Sequence, residues 1–471
     1  MTMTSVERNP IVEENNKPGT RDWLITVDKK SCPAPEHRFC RRKEIEAYVS
    51  HTSIEAGETL DVFVSTEPAS DFSIDFYRMG YYNGDGGRLV HSAGLLKGGP
   101  LAMPPIDKSN LLECKWQKSY GLTIPKDWVS GVYIGKLTAL KDNSQSYVIF
   151  IVKDKRKADF LFQCSDLSWQ SYNRWPYWHS MYDEGANPWV NTYGAAISFD
   201  RPYALYVNEL PSSFNGLSNG SGEFLLWEFP LAFWMEKHGY NVSYISNLDT
   251  DNDYEGLLRA KAFLSVGHDE YWTKQMFDNV SRARDQGLNI LFLSGNAIHK
   301  EIYLKPSTDG RNDRILGRIA DNEHEQDLIG SASHGVGYAD FICKVPKHWI
   351  FEGTGLKAGD TVPHLIGWEF HGLPLKKDRS LIVLAEGPLK ENKWKLPEDL
   401  TYATTIYTAP KGNFVFNAAT CWWNMFLSYP PGSQNPPQDM TGYQIDFKNG
   451  DKRVEKMTEN IFKKVIESNT R

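Results

Sequence analysis

From Val242 to Leu293 the chain alternates short apolar runs with stretches of helical periodicity, and this rhythm limits the fold more than any other feature. Val242 to Ile245, Ala262 to Val266 and Asn289 to Leu293 are apolar almost throughout, the pattern of strands covered on both faces. Tyr254 to Ala260 and Thr273 to Gln286 fall between them and read as helices. Strand and helix in strict alternation require crossover connections, hence a parallel sheet with helices on both sides. Phe160 to Phe162 and Ala204 to Val207 read as further strands, and Glu223 to Lys237 as a buried helix despite Pro230. Phe414 to Phe416 and Cys421 to Leu427 read as a closing strand and helix.

Ahead of Lys157 the period is two. Glu58 to Val64 and Phe72 to Tyr77 alternate apolar with polar residues, and Gly131 to Leu140 and Tyr147 to Val152 follow as apolar runs. This predicts an antiparallel β-sandwich. Asn83-Gly84-Asp85-Gly86-Gly87-Arg88 lacks the Lys-Ser/Thr ending of a phosphate loop and reads as a turn supplying positive φ. The expected organisation is an arm over residues 1–30, a sandwich over 31–155 and an α/β domain over 156–471.

Charge and cysteine content exclude several classes. With 52 basic and 59 acidic residues among 471, the net charge is -7, and no basic run is long enough to track a phosphate backbone. The six cysteines form no Cys-x-x-Cys pair, which argues against a zinc knuckle or a disulfide framework. No run approaches the roughly 18 apolar residues of a membrane span and no secretory leader is written at the start, so a cytoplasmic location is the expectation. Aromatic residues reach 13%, enough to fill a large core and to line a pocket for a small molecule.

In an open parallel sheet the ligand crevice lies beyond the carboxyl ends of the strands. Two polar clusters stand there, Gly267-His268-Asp269-Glu270-Tyr271-Trp272 and Ser294-Gly295-Asn296-Ala297-Ile298-His299, one βαβ unit apart. An imidazole, a phenol and carboxylates so placed suit a metal site or an acid–base pair; equally, Asp-Glu after a strand caps the next helix and a lone His is often structural. Glu369, in Gly367-Trp368-Glu369-Phe370, sits among rings and is costly to bury unless paired or bound to a metal. Glu323-His324-Glu325 reads as a solvated loop. Gly216-Leu217-Ser218-Asn219-Gly220 matches a nucleophile-elbow pattern but lacks the strand before it and the helix after it.

Taken in order, Phe76-Tyr77-Arg78-Met79-Gly80-Tyr81-Tyr82, Trp128 to Tyr133, Trp169-Gln170-Ser171-Tyr172-Asn173, Phe199 to Tyr203, Gly267 to Trp272, Ser294-Gly295-Asn296 and Val415 to Thr420 resemble the large, catalytic subunit of the N,N-dimethylformamidases. The resemblance implies an Ig-like sandwich packed on a glutamine-amidotransferase-like α/β domain, with a mononuclear iron held by two tyrosines and a glutamate. Carried over by position, these fall on Tyr271, His299 and Glu369. Relatives read Asn-x-x-Tyr-Trp where this chain has Asn296-Ala297-Ile298-His299-Lys300, so an imidazole replaces a phenolate. The donor charge drops from about -3 to about -2, which suits a divalent ion and leaves the oxidation state of iron open. Tyr303 is a substitute ligand.

The function so implied is metal-dependent hydrolysis of a small amide, with His268, Asp269 and Glu270 in proton transfer or ligand orientation and Asn296 donating to the oxyanion. Two alternatives are an iron-dependent oxygen-using enzyme on the same residues and a ligand-binding protein with a decayed centre. A small-molecule substrate is expected, without nucleic acid or membrane; self-association and a small partner subunit stay open.

Overall fold

The computed structural model describes residues 8–26, 41–107, 110–176, 179–184, 196–204, 218–374, 380–390, 400–433 and 446–468. The expected strand at Leu205 to Val207, Gly216 and Leu217 of the nucleophile-elbow pattern, and Cys32 and Cys40 lie outside them. The chain is a mixed α and β protein, rich in strands, with both parallel and antiparallel pairing. No helix among the described residues is long and apolar enough to cross a membrane.

Two sheets form the first part. Glu46–Val49, Thr59–Ser65 and Tyr120–Thr123 make a three-stranded antiparallel sheet, packed through Leu60, Val62, Ile74, Phe76 and Phe150 on a five-stranded one. The larger sheet runs Ser53–Glu55, Gln145–Lys153, Gly131–Ala139, Phe72–Met79, Gly87–Leu96. It departs from the antiparallel expectation at one edge, where Ser53–Glu55 runs parallel to Gln145–Lys153. Its central strands do not alternate in burial, because Ile134, Ile149 and Ile151 on the second face pack into the core of the next layer. The Gly-rich segment is the expected turn, with Asn83, Gly84 and Gly86 at positive φ.

That next layer is a seven-stranded sheet. Val242–Ser246, Ala158–Cys164, Ala260–Gly267, Asn289–Ser294 and Phe414–Asn417 are parallel, and Thr401–Thr408 and Ile382–Pro388 add antiparallel pairing at one edge. Period two sorts each parallel strand between two cores: Phe160, Phe162, Leu264 and Leu291 face one, Leu161, Phe263, Ile290 and Phe292 the other. Lys274–Asp285, capped by Thr273, covers the second face. The first is covered by Phe229–Lys237 and by Lys452–Glu467. The expected helix at Glu223 to Lys237 is two pieces, Phe224–Trp227 and Phe229–Lys237, because Pro230 starts a new helix. At Cys421 to Leu427 only a 3₁₀ turn, Trp423–Phe426, forms; the terminal helix is Lys452–Glu467.

Residues 8–26 are anchored across both parts. Trp23 is fully buried, its indole donating to Asp85 O at 3.0 Å, and Lys136 Nζ donates to Asp22 O and Leu24 O.

Candidate metal centre

Three loops at the carboxyl edge of the parallel sheet build the centre. The first follows Ala260–Gly267 and the second follows Asn289–Ser294, and the backbone stitches them together: Gly295 N donates to Gly267 O, Ile298 N to Asp269 O and Lys300 N to Glu270 O. Tyr271–Thr273 then pairs parallel with Lys300–Lys305. The third loop carries Glu369 in across Gly295, where a Cβ would stand 2.1 Å from Glu369 O; only glycine permits that approach. Ile298, Trp368 and Ala419 hold positive φ around the same point, and bulky residues in that region mark a backbone held against its preference.

Donor atoms of His268, Glu270 and Glu369 lie within 4.8 Å of one another, all buried. His268 Nε2 is 3.5 Å from Glu270 Oε2 and in ion-pair contact with Glu369, yet neither His268 Nε2 nor Glu369 Oε2 has an aligned hydrogen-bond partner. Such atoms are rare in a folded interior, and a shared cation satisfies them together. Burial opposes a charged His268, but Glu369, Glu270 and Glu223 outweigh it and raise the imidazole to about 10. Burial likewise opposes the charge on Glu369, which His268 nevertheless holds below the carboxylate range; burial and the charge of Glu369 push Glu270 up.

Behind Glu270 stands a file of phenols. Tyr172 donates to Glu270 Oε2, Tyr182 donates to Tyr172 at 3.2 Å, and the hydroxyls of Tyr182 and Tyr271 are in contact. Burial pushes all three phenols well above their usual range.

The residues singled out from sequence therefore fall in different places. His268, Glu270 and Glu369 come together. Asn296 is buried beside Glu369, to which its side chain bonds. Asp269 faces away, receiving hydrogen bonds from Gln163, Ser265 and Asn247, and holds the loop rather than the cluster. Tyr271 reaches Glu270 only through the phenols. His299, half-buried, lies outside the three-residue group and sets Nδ1 3.5 Å from Glu325 Oε2; its imidazole is raised because Glu325 and Glu270 outweigh burial. Tyr303 is on a strand, under the Lys305 ammonium. In Glu323-His324-Glu325 the exposed His324 fits a solvated loop, but Glu325 is buried. Ser218 is buried and donates to Ala204 O, with no helix directly after it.

Sequence reasoning missed three contributors. Tyr182 and Glu223 stand beside the cluster, and His371 supports it: Ala297 N donates to His371 Nε2 at 3.0 Å, so the ring proton sits on Nδ1 and is donated to Asn417 Oδ1 at 2.7 Å. Glu223 carried a signal, as one of three carboxyls, with Glu228 and Glu236, set into a largely apolar helical run.

Fold and site together define an α/β protein with a buried imidazole–carboxylate centre at its strand ends. A model of the family described as N,N-dimethylformamidase beta subunit-like, C-terminal, matches residues 73–439, and the chain belongs to that family. No curated protein matches in sequence. Among solved structures, the mmIFT52 N-terminal domain is similar at 8% identity and a TM-score of 0.24, over 50% of this chain and 87% of that one. A Faecalibacterium prausnitzii beta-glucuronidase follows at 10% identity and 0.16, over 54% and 29%. Neither carries an argument about fold or activity.

Proposed function

We propose that the chain is a metal-dependent hydrolase acting on the C–N bond of a small amide. Family membership supports the reaction, and the observation that carries the metal is the convergence of buried donor atoms on His268, Glu270 and Glu369, of which His268 Nε2 and Glu369 Oε2 have no aligned partner. One imidazole and two carboxylates bring a charge of about -2, the same as the family-implied set of Tyr271, His299 and Glu369, so a divalent ion, iron(II) first, is the cofactor of this reading. Such an ion supplies an acidified water and polarises a carbonyl. Asn296 presents its amide to the oxygen that becomes negative, and Tyr172 holds Glu270 in place by donating to it. The rings of Trp227 and Trp368 exclude bulk water. The same reading takes 31–155 as an Ig-like sandwich and 156–471 as a glutamine-amidotransferase-like unit.

Elemental analysis combined with formate release from N,N-dimethylformamide tests the proposal. Close to one divalent ion per chain and turnover are expected, both lost in Glu369→Ala. Full turnover by metal-stripped protein overturns it, as would oxygen uptake matched to product. Metal retained in Tyr271→Phe and His299→Gln but lost in His268→Gln assigns the ligands to the geometric set; the converse assigns them to the family set.

A further inference from the structure

Glu223, Glu228 and Glu236 are three fully buried carboxyls along residues 223–237, and they differ in how far they are bonded. Glu236 is paired with Arg78 at 2.9 Å, and Glu228 Oε1 accepts from Ser165 N and the Trp169 indole at 3.0 and 2.9 Å while its Oε2 has no aligned partner. Neither oxygen of Glu223 has an aligned hydrogen-bond partner, though the Trp227 indole lies beside it. The carboxyl is within electrostatic reach of His268, Glu270 and Glu369. A buried, unsaturated acid facing a catalytic cluster is costly to keep in a fold unless a ligand group completes it.

The surroundings say which group. Trp227, whose indole N–H lies toward the Glu223 carboxyl, is nearly perpendicular to His268 at 6.2 Å between centroids and stacks with Trp368, at 6.5 Å and 26°, so indole rings stand next to the carboxyl. Indole faces accept N-alkyl groups and attract cations, and a carboxyl among them suits an amine. Building on the amidase reading, we propose that Glu223 meets the amine half of the substrate, giving its proton to the nitrogen as the C–N bond breaks and then holding the ammonium. Water oxygen bonds to the carbonyl carbon and releases one proton to solvent; the C–N electron pair goes to nitrogen, which takes the Glu223 proton and leaves as the neutral amine. The amine then takes the proton of the carboxylic acid product, giving carboxylate and an ammonium held by the Glu223 carboxylate, and Glu223 regains a proton from solvent when the ammonium departs. Burial first, then the neighbouring carboxylates, favours the protonated form, raising Glu223 to about 8.

The test compares wild type with Glu223→Gln on two amides, with dimethylammonium binding followed by calorimetry and metal content measured on both proteins. N,N-dimethylformamide expels a basic amine that needs a proton, whereas 4-nitroformanilide expels one that scarcely does. The variant is expected to lose about 10² to 10⁴ in kcat on the first and less than about threefold on the second. Its metal content should be unchanged, and dimethylammonium should bind at least about tenfold more weakly. Equal losses on both amides, loss of metal, or unchanged dimethylammonium affinity overturns the proposal. If wild type hydrolyses neither amide, the amidase reading falls, and the calorimetry still decides whether Glu223 receives an amine.

Discussion

Two of the buried ionic clusters among the described residues are built in opposite ways. At the junction of the five-stranded sheet with the α/β layer, the terminal nitrogens of Arg78 donate to both oxygens of Glu236, to Tyr82, to Met79 O and to Ser130 O, and Tyr244 donates to Glu236 as well. At the strand ends, His268, Glu270, Glu369 and Glu223 are equally buried, but His268, Glu369 and Glu223 keep unsatisfied atoms. A cluster whose carboxylate is bonded at both oxygens, with Arg78 Nε alone left over, holds layers together, while one with open carboxylate and imidazole atoms costs stability and is kept ready for something that binds.

Breaking the Arg78–Glu236 cluster gives the largest expected effect on stability. Arg78→Leu strands Glu236 and is expected to remove about 3–5 kcal/mol of unfolding free energy by urea titration. An unchanged midpoint would erase the contrast between the clusters. His371→Leu sharpens it at the other end, by freeing Ala297 N–H and Asn417 Oδ1 under the centre. A loss of about 1–3 kcal/mol is expected, with a fall in metal affinity that equilibrium dialysis reads. The smallest effect concerns Glu14, which accepts from Tyr82 at 2.8 Å and lies 2.6 Å from Arg88. Burial opposes its charge, but Arg78, Lys17 and Arg88 outweigh it and hold the carboxyl below its usual range. Its contribution is therefore complete above the ordinary carboxylate pKa, and is lost as pH falls through the depressed folded value. The stability gap between wild type and Glu14→Gln should accordingly be widest near neutrality and close below about pH 4. A gap independent of pH would show that the charge contributes nothing.

Much of the frame is legible in the chain because strands covered on both faces write continuous apolar runs. Ala260–Gly267 and Asn289–Ser294 lie close to where the pattern puts them, and His268 and Glu270 after the first and Asn296 after the second stand at the centre. Less legible is direction. Asp269 and Glu270 are neighbours in sequence, yet one faces a Gln163–Ser265–Asn247 network and the other the cluster, a division in which Gln163 and Asn247, both more than 20 positions distant, take part. Tyr172 and Tyr182 join through contacts that no local pattern records. Lys452–Glu467 is rich in charge, and its apolar stripe of Val454, Met457, Ile461 and Val465 gains meaning only against the sheet it covers.

The two clusters share one beam. Glu236 is bolted to Arg78 near one end of the segment that carries Glu223 at the other, a span of about 20 Å at helical rise. The piece bends at Glu228, which is itself tied to Ser165 and Trp169. A rigid tilt of only about 3° over that length shifts the far carboxyl by about 1 Å, the scale on which reacting groups fall out of alignment. Substitutions where the layers meet are thus felt at the strand ends, and the fit between the two halves of the molecule sets how accurately Glu223 is aimed.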